Sequence, residues 1–288
     1  MSWIVPVASG EKWLERCLNS VINQNYSNWE AIIVINGKVR LNEYNSIKKK
    51  YSTNRYKIYF FELEKKGMAN ALNFALKKSK GEWIARLDAD DYCISTRLEK
   101  QLKYKEYDLI CSNISLIDEN ENEIYYTELM KRYYNNKLSF FENIHNKFIE
   151  LLSKYPKKFD ICDELKFRNP IPHSSVLLRK NILTEIGGYI SNKNGDNPCQ
   201  DIRTWILLMS KGCKFYQVNE ILTKISIHPR QITGSIKPRL EVIKIYFSLF
   251  IKYKDIRSLM SCVFHLSMYL SMYFNIIFFK NKFNGNKY

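Results

Sequence analysis

The first ninety residues constrain the fold most, because short apolar runs alternate there with segments of helical periodicity. Trp3–Val7, Ala31–Ile35, Tyr56–Leu63 and Trp83–Leu87 read as strands, rich in β-branched and aromatic residues and closed by turn-forming ones. Between the first two, Trp13, Leu14, Cys17, Leu18, Val21 and Ile22 fall at helical spacing, with Ser9 placed to cap the helix. A basic helix is predicted around Tyr44–Tyr51, and another over Gly67–Lys78 with Ala71, Leu72, Ala75 and Leu76 on one side. Strand alternating with helix implies right-handed crossovers and a mainly parallel α/β sheet covered by helices on both faces. In such sheets ligands bind at the carboxyl ends of the strands. The turn from Pro6 to Gly10, the pair Asn36-Gly37 and the cluster Asp88-Ala89-Asp90-Asp91 all stand at such ends, so they can line one crevice.

The acidic cluster carries the strongest chemical signal. Three carboxylates within four positions repel one another when ionised together, so a cation is expected beside them. Oxygen ligands at a strand end suit a hard ion such as Mg2+ or Mn2+, which shares its remaining positions with water and phosphate oxygens. The alternative is a solvated acidic turn in which Asp91 and Ser95 cap a following helix. The crevice setting favours the metal-and-phosphate reading.

Lys and Arg number 45 against 29 Asp and Glu, a net charge of +16, which points to an anionic partner or to a Lys-rich solvated surface. No nucleic-acid module or basic-aromatic motif is present, so nucleic acid is not expected as that partner. Seven Cys occur without a Cys-x-x-Cys pair or Cys/His ligand spacing, which excludes a zinc-finger pattern and fits reduced thiols in the cytoplasm. The opening residues carry no basic segment followed by an apolar core, so no secretion signal is read there.

Taken together, the motifs resemble family 2 glycosyltransferases with the nucleotide-sugar-binding GT-A fold. The resemblance rests on Pro6-Val7 before Glu11-Lys12-Trp13-Leu14, on Ile32-Ile33-Val34, on Gly67 with Ala71-Leu72-Asn73, and on Gly81 through Asp91 followed by Arg97-Leu98-Glu99-Lys100-Gln101. It resumes at Asn169-Pro170-Ile171-Pro172-His173-Ser174-Ser175, Gly187-Gly188-Tyr189 and Gln200 through Trp205, and closes near His228. The resemblance implies an inverting transferase that uses a nucleoside-diphosphate sugar, UDP being the expected nucleotide, and a glycan or glycolipid acceptor. Asp88 and Asp90 match the Asp-x-Asp pair, with Asp90 the direct metal ligand and Asp88 nearer the ribose or a metal-bound water. Pro6, Val7, Ser9, Asn36, Lys66 and Ala89 fall at donor-binding positions. Asp201 matches the base that takes the acceptor proton; its alternative role is capping a helix over Ile202–Met209. His228 resembles a late histidine that reaches metal or diphosphate, or else is structural. His173 is read as shaping the acceptor site, and Lys65 and Lys66 either reach the diphosphate or lie on an exposed loop.

Two departures stand out. Asn36 occupies a place where relatives usually carry Asp, and Ala8-Ser9 replaces the usual Asn after Pro-Val. Asn36 motivates an alternative reading, a nucleotide-sugar-binding protein with little or no turnover.

The chain divides on this reading into a nucleotide-sugar-binding half (1–115), a variable helical insertion (116–168), an acceptor-binding half (169–236) and a helical extension (237–288). From Pro238 the pattern is amphipathic, with Val242, Ile243, Ile245, Tyr246, Leu249 and Phe250 interrupted by Lys244, Lys252 and Lys254. Between Arg257 and Lys280 His265 is the only ionisable group apart from Tyr and Cys, yet Ser, Asn and His make the stretch a poor span. Two readings stand for it: an interfacial helix on the anionic inner face of the cytoplasmic membrane, or a tail packed on the catalytic domain or on a second copy in a homo-oligomer.

Overall fold

The computed structural model describes residues 1–8, 11–36, 41–53, 55–64, 67–124, 160–166, 168–190, 199–228, 237–266 and 269. The chain divides into two compact units, Met1–Ile124 with Asn169–Pro229, and Tyr125–Arg168 with Arg230–Tyr288.

The first unit is built on one sheet. Its strands are β1 (Ser2–Val7), β2 (Glu30–Ile35), β3 (Ile58–Glu62), β4 (Trp83–Arg86), β5 (Tyr92–Cys93), β6 (Leu109–Ile117), β7 (Glu123–Ile124), β8 (Leu177–Arg179) and β9 (Phe215–Ser226). The order is β3-β2-β1-β4-β8-β6-β9-β5, with β7 beside β6. The four strands at the β3 end run parallel, as the strand–helix alternation predicts. β8 enters antiparallel between β4 and β6, and β6 and β9 run parallel. The helices between the early strands are α1 (Glu11–Ile22), α2 (Leu41–Tyr51) and α3 (Met68–Lys78), each within a few residues of its expected span. Trp3, Val5, Val7, Leu14, Leu18, Val21 and Ile33 are fully buried in one cluster. Each contributes about 1.5–3 kcal/mol by leaving water.

Pro6 lies in a central strand, where a residue without an N–H normally breaks the ladder. The register explains its tolerance. β1 pairs with β4 only over Ser2–Ile4, the last bond being Leu87 N–H to Ile4 O, whereas pairing with β2 continues to Val7, whose carbonyl accepts from Asn36 N–H. Backbone groups alternate sides along a strand, so the missing N–H of Pro6 faces the side where β4 has already ended. The sheet therefore opens between β1 and β4 beyond Ile4 and Arg86. The strand order reverses at that place, which is where open α/β sheets bind ligands.

In the second unit, α5 (Ile161–Leu165) accompanies α8 (Lys237–Tyr253) and a helix over 256–266. Ile245, Tyr246 and Leu249 are buried, as the amphipathic pattern predicts, while Phe247 and Ile251 are exposed. Arg257 holds Asp255 at 2.5 Å and reaches Asp163 at 3.7 Å, and Ser258 Oγ donates to Lys166 O at 2.6 Å. No helix among the described residues is long and apolar enough to cross a membrane.

Candidate active site

β4 delivers the acidic loop to the opening between β1 and β4, and each of its three carboxylates has a different partner. Asp88 Oδ1 accepts from Arg86 Nη2 at 2.7 Å. Asp90 Oδ2 lies 2.9 Å from His228 Nε2. Asp91 is buried, accepts Ser226 N–H at 2.9 Å and takes the hydroxyl proton of Ser174 in a short hydrogen bond. Burial, followed by the nearby charges of Asp90 and Asp88, holds the Asp91 carboxyl well above the usual carboxylate range. The mutual repulsion expected from the sequence is thus countered at Asp88 by an arginine and at Asp90 by a histidine, while at Asp91 it persists and, with burial, outweighs the Ser174 and Ser226 donors. Asp91 does not cap the next helix; α4 (Arg97–Gln101) starts after Thr96, and Asp91 instead binds β9 and the segment before β8.

The loop is also held through its backbone. Arg16, on α1, donates to Asp90 O at 2.8 Å and to Ser226 Oγ at 2.6 Å, and Ser226 Oγ donates to Asp90 O at 2.5 Å. Asp88 N–H donates to Ser174 Oγ at 3.1 Å, and the buried thiol of Cys17 lies 3.5 Å from Asp88 O. His228 stacks on Trp13, with ring centroids 4.3 Å apart and planes at 22°. The Asp90 carboxylate and the His228 imidazole thereby meet at one point while both remain fixed.

Beneath the loop, Arg97 is fully buried and donates to Ser174 O at 2.6 Å, Val176 O at 3.0 Å, Arg86 O at 3.1 Å and Gln101 Oε1 at 3.1 Å. Burial pushes its pKa down to about 10. Gln101 Nε2 adds bonds to Ile110 O at 3.0 Å and Ser175 O at 2.7 Å.

Asp201 lies in the first turn of α7 (Gln200–Ser210); Cys199 is the residue before the helix, so Asp201 is not its N-cap. Its Oδ2 accepts Asn169 Nδ2 at 2.8 Å and lies 2.5 Å from His173 Nε2. Burial pushes the Asp201 carboxyl up, but His173, the Ile202 N–H and Arg86 outweigh burial and hold it below the usual value. Tyr189, buried near Arg86 and Asp88, has its phenol pushed up to about 12, burial being the main cause.

Among the expected donor-binding residues, Pro6 and Val7 end β1, and Ala89 is buried within the acidic loop. Asn36 is buried and donates through Nδ2 to Gly67 O at 2.5 Å, tying the end of β2 to the start of α3. An aspartate could not make that bond, so Asn36 is not simply a lost carboxylate. Ser9, Lys65 and Lys66 lie outside the described residues.

Sequence reasoning passed over Arg86, Arg16, Asn169, Ser174 and Ser226. Arg86 carried a usable signal, since an arginine within an apolar strand is rarely buried without an anionic partner. Ser174 and Ser226 carried none, because a serine's partner more than eighty residues away is set by the sheet order.

A divalent ion fits the donor set in one respect. Asp90 and His228 offer an oxygen and an imidazole nitrogen at one place, a pairing suited to Mn2+ and usable by Mg2+. Asp88 is already engaged by Arg86, and no group of three metal-ligating side chains occurs among the described residues. An ion held here would take most of its coordination from phosphate oxygens and water.

Comparison with known proteins follows the same lines. The family model described as Glycosyl transferase family 2 matches residues 2–169. The O-antigen biosynthesis glycosyltransferase WbnJ of Escherichia coli is 27% identical, over 92% of this chain and 94% of that protein. The amylovoran biosynthesis glycosyltransferase AmsE of Erwinia amylovora is 26% identical, over 74% of this chain and 70% of that protein. Among solved structures, the mannosyltransferase PcManGT of Pyrobaculum calidifontis, in complex with GDP-Man and Mn2+, superposes with a TM-score of 0.59 at 15% identity, over 88% of this chain and 64% of that one. S. aureus TarS 1–349, in complex with UDP-GlcNAc, gives 0.54 at 14% identity, over 86% of this chain and 66% of that one. This chain spans just under two thirds of those two solved chains, and the likeness to them is one of fold. With more than half of its length matched by the family model, the chain belongs to glycosyl transferase family 2, and its curled, mostly parallel sheet flanked by helices is that of the GT-A glycosyltransferases.

Proposed function

We propose that the chain transfers a sugar from a nucleoside-diphosphate sugar, with UDP as nucleotide, to a hydroxyl of a surface-polysaccharide or lipid-linked glycan, inverting the anomeric carbon. The observation that carries this reading is the meeting of Asp90 and His228 at 2.9 Å where the sheet opens, with Asp88 fixed beside them by Arg86. The E. coli relative, named for O-antigen biosynthesis, and the mannosyltransferase solved with GDP-Man and Mn2+ support the acceptor class and the donor class.

Asp90 and His228 would hold a Mn2+ or Mg2+ ion, whose charge stabilises the diphosphate leaving group. The rest falls to the chain itself. Pro6 and Val7 form one wall where the nucleotide can lie against backbone, and Asp88, oriented by Arg86, is placed to accept a ribose hydroxyl. Asp201 takes the proton of the acceptor hydroxyl as it attacks the anomeric carbon. His173, the Ile202 N–H and Arg86 favour the ionised carboxylate, the form a base requires. The exposed apolar residues and lysines of α8 support docking on the anionic cytoplasmic face of a membrane.

The test is Asp201→Asn. Release of UDP from a panel of UDP-sugars, with water or an added glycan as acceptor, should fall at least about 100-fold, while calorimetric binding of UDP stays unchanged. Full turnover in the variant would remove Asp201 from the base role.

A further inference from the structure

Two neighbouring residues in one short turn reach opposite parts of the site. The turn His173–Ser175 directs the His173 imidazole to Asp201, at 2.5 Å, and the Ser174 hydroxyl to Asp91 and to the backbone N–H of Asp88. It is pinned from below by the buried Arg97 and Gln101 through the carbonyls of Ser174 and Ser175, and from the side by Ser112 N–H, which donates to Ser175 Oγ at 3.3 Å. Ser175 Oγ closes the turn on Pro172 O at 2.8 Å.

We propose that this turn sets the spacing between the donor-holding acidic loop and the acceptor base, with His173 the positioning residue for Asp201 and Ser174 the positioning residue for the loop. The proposal rests on the reading of Asp201 as base and deepens it. Asn169 Nδ2, which donates to Asp201, and His173 Nε2, which lies against it at 2.5 Å, come from the same segment and both meet Oδ2. Neither side chain meets Oδ1, so on the base reading Oδ1 is the oxygen that takes the acceptor proton. His173 also packs edge-on to Trp205, one helical turn beyond Asp201, at 6.3 Å and 84°. The imidazole thus registers the start of α7 through two contacts.

The charged groups facing Asp201 are His173 from the turn and Arg86 from β4. Removing the imidazole leaves burial opposed by the Ile202 N–H and, less strongly, by Arg86, so the Asp201 carboxyl moves up and the acid limb of kcat moves to higher pH. His173→Gln keeps an N–H near the Nε2 position but no charge, so it should restore most of the lost kcat while returning the Asp201 titration only in part.

The experiment compares wild type, His173→Ala, His173→Gln, Ser174→Ala and Asp201→Asn. Turnover is read as UDP release from UDP-glucose, UDP-galactose and UDP-N-acetylglucosamine, and the Asp201 carboxyl is followed directly by carbon-13 NMR titration, which needs no substrate. In His173→Ala, kcat should drop about 10- to 100-fold with donor KM unchanged, and the Asp201 titration should move upward. Ser174→Ala should instead raise donor KM with a smaller loss of kcat. An unmoved Asp201 titration in His173→Ala, or a loss of activity that His173→Gln does not rescue, overturns the proposal. Should Asp201→Asn itself retain turnover, the base reading falls and the proposal with it. If only Asp201→Asn is inactive and His173→Ala is normal, the base reading stands and the spacing role alone is refuted.

Discussion

Replacing Arg97 by Met removes the brace under the acidic loop while keeping the side chain's length and apolar bulk. Four hydrogen bonds disappear, three of them to backbone carbonyls. Those carbonyls are not equally exposed to the loss. Val176 O keeps the Arg86 N–H at 2.9 Å, and Ser174 O keeps only a long contact from Thr223 Oγ1 at 3.5 Å. Leaving Ser174 O and Arg86 O without the guanidinium costs about 1–3 kcal/mol each, and the weaker losses at Val176 O and Gln101 add about 1 kcal/mol together. Against this stands the relief of no longer burying a guanidinium, a penalty visible in the lowering of its pKa to about 10. The net loss is about 3–5 kcal/mol, within the range for breaking a buried charged network and a large share of the 5–15 kcal/mol that holds a typical domain folded. Urea unfolding followed by circular dichroism, comparing midpoints at a common slope, measures it. Arg97→Lys, which can satisfy one or two of the carbonyls, should lose less. A loss under about 1 kcal/mol for Arg97→Met would refute the view that these bonds hold the turn in place.

Two further substitutions probe side-chain clasps on the backbone of the first unit. Asn36→Asp sets a carboxylate against Gly67 O, where the amide now donates at 2.5 Å; it should lower stability by about 1–3 kcal/mol and weaken UDP binding, and tighter binding would show that Asn36 is a lost carboxylate after all. Gly188 has φ +88°, and a Cβ there would lie 2.4 Å from Asn73 Oδ1, the atom that accepts Tyr189 N–H at 2.7 Å. Gly188→Ala should therefore cost about 2–3 kcal/mol in a thermal or urea midpoint; a neutral effect would mean that this clasp can shift freely.

Much of the fold was legible because β1, β2 and β4 are buried on both faces and so read as continuous apolar runs. Ile32 through Val34 needed no alternation to declare itself, whereas the reason Pro6 is tolerated in β1 emerged only from the register with β4. The short antiparallel insertion β8 was not legible, since three residues carry no period and its place between β4 and β6 depends on long-range pairing. At the site, the Asp-x-Asp spacing could be picked out as carboxylates suited to metal and phosphate, and His228 by its resemblance to a late histidine of the family. Their division was hidden: Asp90 goes to a histidine 138 residues away, Asp88 to the arginine two positions before it, and Asp91 to two serines. The contact of His173 with Asp201 was equally invisible, because the two approach only when the turn before β8 meets the start of α7. Spacing in the chain reveals which groups can do chemistry, and the sheet order decides which of them meet.

The most direct measurement of the central claim is calorimetric titration of UDP, GDP and dTDP into the full chain, with and without Mn2+, repeated on Asp90→Ala. The account predicts binding of one nucleoside diphosphate that strengthens at least about tenfold with Mn2+ in the wild type and loses that dependence in Asp90→Ala. Equal binding with and without the ion, or a metal dependence that survives in Asp90→Ala, would contradict the placement of the donor site at Asp90 and His228.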